Sequence, residues 1–98
     1  MIGFSARAAR QFRELREHYE DGERPEAIRG LIIAMEEARR KIEDNPAGGF
    51  AAPRPYPCLA RTGRAWIKAG RYWICYTTSQ PPIIVGVFFE TADIPNRM

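Results

Sequence analysis

Between Asn45 and Phe89 the chain has no acidic residue, and this is the most informative of its absences. The same stretch carries Arg54, Arg61, Arg64, Lys68 and Arg71, whereas the residues up to Asp44 are nearly balanced in sign. An unopposed cationic half favours an acidic partner. Lys and Arg blunting a sheet edge is the plainer explanation, but edge protection rarely needs so many charges without a counter-ion. Histidine is scarce as well: His18 stands alone beside Glu17, with no second ligand or nucleophile, which argues against metal catalysis. Cys58 and Cys75 have neither the number nor the spacing of a disulfide framework or metal knuckle, so both are read as reduced and structural. Gly48-Gly49 lacks the spacing and the Lys of a phosphate loop. No cofactor is expected.

Long apolar runs are missing too. The longest, Pro81 to Phe89, is far short of the roughly 20 residues that cross a bilayer. Met1-Ile2-Gly3-Phe4 runs directly into the charged segment Arg7 to Arg16 without an apolar leader, so a cytoplasmic location with no membrane contact is expected. What is present suits a single domain over residues 1–98: 45% of residues are hydrophobic and 28% charged, an ordinary globular balance.

Alternation at Ile2 and Phe4 predicts a short strand, ending where Ser5 can cap a helix over Ala6 to Glu20. Ala9, Phe12, Leu15 and Tyr19 form its apolar stripe. Pro25 suits the first turn of a second helix, along which Ile28, Leu31, Ile32, Met35, Ala38 and Ile42 repeat until Asn45-Pro46 stops it. A connection as short as Asp21 to Arg24 makes the two helices an antiparallel hairpin. Ala47 to Pro57, rich in Gly and Pro, reads as loop. Three strands follow: Leu59 to Lys68 with Gly63 as a bulge or turn, Arg71 to Thr78 after an Ala69-Gly70 turn, and Ile83 to Glu90 after Ser79 to Pro82. The expected fold class is α+β, an N-terminal strand and helical hairpin packed on a small, mainly antiparallel sheet. Tyr72, Ile74 and Tyr76 share one face of the middle strand and Trp73, Cys75 and Thr77 the other, both largely apolar. A helical pair covers one face only, so the second needs a cover of its own or a partner.

The carboxylates Glu14, Glu17, Glu20, Glu36, Glu37 and Glu43 are explained by ion pairing along helices. A metal-free nuclease would need cations for the phosphate and a proton carrier. For the second, the basic half offers only Tyr56, Tyr72, Tyr76 and Glu90, and a tyrosine pKa near 10 is a poor match to neutral pH.

In this order the elements carry particular residues: Ser5-Ala6 opening the first helix, Ile42-Glu43-Asp44-Asn45-Pro46 closing the second with Gly48 or Gly49 after it, then Arg54-Pro55-Tyr56-Pro57, Arg71-Tyr72-Trp73-Ile74-Cys75-Tyr76, and Val87-Phe88-Phe89-Glu90-Thr91-Ala92-Asp93-Ile94-Pro95. Over nearly its whole length the chain resembles toxins of the RelE/ParE superfamily. The resemblance implies the toxin half of a type II toxin and antitoxin pair, in a hetero-oligomer with a cognate ParD-like antitoxin and touching promoter DNA only through it. RNA-cleaving relatives commonly place an Arg where Trp73 stands, a His at Phe89 and an Arg at Ala92. Losing the first removes a bidentate phosphate contact. The departures therefore imply a ParE-type toxin that binds DNA gyrase and blocks replication, with Arg61, Arg64, Lys68, Arg71 and Trp73, together with an exposed tail from Asp93 to Met98, as the target surface. The antitoxin would meet Leu31, Met35, Tyr72 and Tyr76. Two alternatives stay open: a ribosome-dependent mRNA endonuclease using Arg61, Lys68, Arg71 and Tyr76, and a relative that binds antitoxin but is no longer toxic.

Overall fold

A computed structural model describes residues 2–97 and gives an α+β domain. Strand β1 (Gly3–Phe4) leads to helix α1 (Ala6–Asp21), and helix α2 (Pro25–Asp44) follows after a turn. Strands β2 (Arg64–Ala69), β3 (Tyr72–Thr77) and β4 (Ile83–Phe89) form the meander, and a single helical turn, α3 (Ile94–Arg97), closes the described chain. The sheet order is β1-β4-β3-β2, with the meander antiparallel and β1 parallel to β4. Among the described residues no helix is long and apolar enough to cross a membrane.

Local chemistry accounts for the element ends. The Ser5 hydroxyl accepts the Ala8 amide at 3.1 Å, satisfying one of the free donors at the start of α1. Pro25 opens α2, and the helix ends at Asp44, ahead of Asn45-Pro46. The first-helix stripe is centred one residue from its expected position: Ala8 and Tyr19 are buried, with Phe12 and Leu15 packed beside them. On α2 the buried residues are Leu31, Ala34, Met35, Ala38 and Ile42, while Ile32, expected in the core, is 40% exposed. Ala34 takes its place because the sheet and α1 lie on that flank.

The loop and strand boundaries also move. The segment expected as plain loop begins in a 3-10 turn (Pro46–Gly48), and Phe50 makes an isolated antiparallel bridge to Trp66. A second 3-10 turn, Pro57–Leu59, occupies the expected start of the first meander strand. Gly63 has φ +80°, a turn conformation that side-chain-bearing residues resist, so β2 begins only at Arg64. The β2–β3 connection is Gly70-Arg71, one residue later than expected, since Ala69 still pairs with Tyr72 and Gly70 supplies φ +56°.

Two cores result. The helical face of the sheet buries Ala65, Ala69, Tyr72, Ile74, Tyr76, Ile84 and Val87 against Ala8, Tyr19, Leu31, Ala34, Met35, Ala38 and Ile42. The opposite face buries Trp66, Trp73, Cys75 and Phe88, and the chain supplies its own cover there through Tyr56, Leu59, Ala92 and the fully buried Ile94. The tail is therefore not simply exposed: up to Ile94 it is part of the fold, and Met98 lies outside the described residues.

Candidate partner-binding groove and basic face

An open groove of about 1250 Å³ lies between α1, the first half of α2 and the β3–β4 end of the sheet. Leu15, Tyr19, Ala27, Ala34, Tyr72 and Phe89 supply its apolar lining. Cations Arg7, Arg10, Arg24, Arg71 and Arg97 line it together with the carboxylates Glu14, Glu26 and Glu37, so the balance is positive. Ile33, 56% exposed, adds an apolar edge on the α2 side.

Hydrogen bonds fix the groove from within. The Tyr19 and Tyr72 hydroxyls lie 2.6 Å apart, and burial, with that contact next, raises the Tyr72 pKa, so the Tyr72 phenol is neutral at physiological pH. Arg24 lies over the Tyr19 ring at 5.7 Å and Arg71 over Phe89 at 5.2 Å, holding two guanidinium groups at the mouth. The Gln11 side-chain carbonyl accepts the Val87 amide at 2.9 Å, satisfying a donor on the edge of β4 beyond the short β1 pairing. A helical or extended segment with apolar and acidic side chains fits this lining.

The basic face is less unopposed than the sequence suggests. Glu90, one residue past the acid-free stretch, accepts a hydrogen bond from Arg71 Nε at 2.7 Å and lies 3.7 Å from Lys68 Nζ. The Arg71 contact, helped by Lys68, holds the Glu90 carboxyl below the ordinary carboxylate range. A lowered folded-state pKa stabilises the fold above the unfolded carboxyl pKa, and this contribution fades as the pH falls through the lowered value. Glu90→Gln is accordingly expected to lower Tm at pH 7 and to match the parent protein at pH values well below about 4. Thermal melts from pH 2 to 8 check this; a gap that persists at pH 2 would remove the ion pair as its cause.

Trp73 is 5% exposed, packed in the second core with Lys68 Nζ 5.5 Å from its ring centroid, so it is no target-binding residue on the surface as folded. Arg71 borders the groove, Lys68 pairs with Glu90, and Arg61 and Arg64 border a smaller hollow with Arg7. Of the expected antitoxin contacts only Tyr72 reaches the groove lining; Leu31, Met35 and Tyr76 are core residues. Each was expected to present an apolar side chain to a partner, and each instead fills the space between helices and sheet. Arg7, Arg24 and Gln11 join the site without any sequence signal beyond their charge or polarity, whereas Tyr19 comes from the apolar stripe of α1 and Arg97 from the expected tail surface. Glu90 had one, as the first acid after a long absence.

Of the residues proposed for nuclease chemistry, Lys68 and Arg71 meet at Glu90, but Tyr76 does not join them. Tyr76 is fully buried on the helical face, donates to the Pro46 carbonyl at 2.7 Å, and has its pKa raised by burial. Lys68 lies toward the other face, over Trp73. Phe89 packs against Tyr72 at 5.6 Å, and Ala92 lies against the second core. Among the described residues no cluster of His, Cys, Asp or Glu could hold a metal ion. No family model matches the chain, and no curated protein matches it either.

Proposed function

We propose that this chain is the toxin of a bacterial toxin and antitoxin pair, a cytoplasmic ParE-like protein that inhibits DNA gyrase by binding and is neutralised by a cognate antitoxin seated in the groove. The observation that carries the non-enzymatic part is the composition of the sheet face opposite the helices. There Trp66, Trp73, Cys75 and Phe88 are packed together, and the Cys75 thiol has its pKa raised to about 11 by burial. Among the described residues, those packed at the centre of this face do not titrate near neutral pH, which suits binding better than general acid and base chemistry. The toxin part rests on the RelE/ParE resemblance, with which the α+β architecture agrees. The groove, apolar within and cationic at its mouth, suits an antitoxin tail bearing acidic residues. Promoter DNA would be contacted only through that antitoxin.

The test is a gyrase supercoiling and DNA-cleavage assay with purified, antitoxin-free protein, with and without ATP. Blocked supercoiling with accumulated cleaved DNA is the expected result, and Arg61→Glu with Arg64→Glu should abolish it while circular dichroism remains that of the folded chain. Unaffected gyrase together with codon-specific cuts in ribosome-bound message would replace the proposal by an endonuclease. Harmless expression without antitoxin would replace it by a silent antitoxin-binding relative.

A further inference from the structure

Strand β4 carries an irregularity with a chemical consequence. Cys75 pairs with Gly86 but Tyr76 with Ile84, so Val85 is an extra residue, a bulge in the strand. Gly86 has no room for a side chain: a Cβ there would lie 2.7 Å from the Phe88 ring and 3.4 Å from the Cys75 Cβ. Beside the bulge is a hollow of about 200 Å³ lined by Ser5, Arg7, Arg61, Arg64, Cys75, Val85, Gly86 and Phe88. At about 30 Å³ of liquid per water molecule, that is room for roughly seven waters, enough for one tetrahedral anion.

Three arginines from two distant parts of the chain meet at this hollow. Among the described residues none of them forms an ion pair with a carboxylate; Arg7 donates to the Arg97 carbonyl, and Arg64 to the neighbouring Gly63 carbonyl at 3.3 Å. Arg7 also stands in the first turn of α1, which has no acidic residue. The helix dipole already makes that end positive, and a cation there is unfavourable unless an anion offsets it. The Cys75 side chain is 1% exposed, lines the same hollow, and has no hydrogen-bond partner among the described residues. Burial keeps its thiol protonated, so it offers a weak S–H donor to an anion.

We propose that Arg7, Arg61 and Arg64, around the N-terminus of α1, form a binding site for a single phosphate group. Guanidinium groups present paired donors that match phosphate oxygens, and three arginines line this one small hollow. The site shares Arg7 and Phe88 with the groove, but it does not depend on the toxin reading, because phosphate binding is measured directly and can fail or succeed whatever gyrase does.

The experiment titrates the full chain with inorganic phosphate in chloride buffer, following heat by calorimetry and the ligand by phosphorus NMR. Saturable binding at one site is expected, weakened about tenfold or more by Arg61→Gln and by Arg64→Gln. Arg54→Gln, which removes a cation held over Phe50 and outside the hollow, is expected to leave it unchanged. Near-UV circular dichroism confirms that each variant is folded. Competition by a 5′-phosphorylated hexanucleotide but not by its unphosphorylated form would make the ligand a terminal phosphate, and equal competition by both would make it a backbone phosphodiester. Absence of saturation, or an Arg54→Gln loss equal to the other two, would overturn the site and leave only a diffuse cationic field.

Discussion

Replacing Trp66 by alanine is expected to lower the unfolding free energy by about 3–5 kcal/mol, a large part of the about 5–15 kcal/mol that holds a domain of this kind together. Trp66 is fully buried at the centre of the second core, with its ring 5.9 Å from that of Phe88. Its backbone, paired both ways with Phe50 at 2.7 and 2.8 Å, would survive the substitution, so the loss is one of side-chain packing. The indole Nε1 is buried without an acceptor among the described residues. Trp66→Phe keeps an aromatic ring and removes that unsatisfied donor, so it should cost less than roughly half as much. Urea denaturation of both variants measures the difference. A cost below about 1 kcal/mol for Trp66→Ala would mean that the face opposite the helices is not a packed core.

The second large effect is expected at Gly49. A Cβ on this residue would lie 2.5 Å from the Tyr76 hydroxyl, 2.9 Å from the Ala65 Cβ and 3.1 Å from the Trp66 carbonyl oxygen. Gly49→Ala therefore forces apart the loop and the β2–β3 pair at the point where Tyr76 donates to Pro46, at an expected cost of about 1–3 kcal/mol. Removing the hydroxyl should relieve part of this strain. In a double-mutant cycle with Tyr76→Phe, the two losses are expected to add to more than the double variant shows. Strict additivity would mean that the hydroxyl is not what the new methyl meets.

The architecture was legible in the sequence because its signals are local. Ser5 caps α1, Pro46 follows the end of α2, and parity along β3 put Tyr72, Ile74 and Tyr76 on one face, as found. The errors fall where distant residues decide. Helical spacing could not tell Ile32 from Ala34 as the flank that meets the sheet, since both adjoin the same stripe. Parity gave β3 two apolar faces but not the cover on the second, which comes from Tyr56, Leu59 and Ile94. That cover turns Trp73 from an expected contact residue into core. Likewise the acid-free stretch ends one residue before Glu90, which strand pairing brings to Arg71 with its amide 2.9 Å from the Arg71 carbonyl. The meeting of Arg7 with Arg61 and Arg64 depends on a bulge that no local pattern announces.

The pairing of β1 with β4 joins Gly3 to Ile83 and Phe4 to Ile84, nearly the full span of the domain. During synthesis the two helices leave the ribosome well before any of the three meander strands they pack on, and the helical hairpin then has an apolar stripe with nothing to bury it. Loop-closure entropy delays such distant contacts, so the first strand is among the last pieces to find its place. The nascent chain thus passes through a stage in which Leu31, Met35 and Ile42 are open to other molecules, and chaperone binding or early aggregation is most to be expected in that interval.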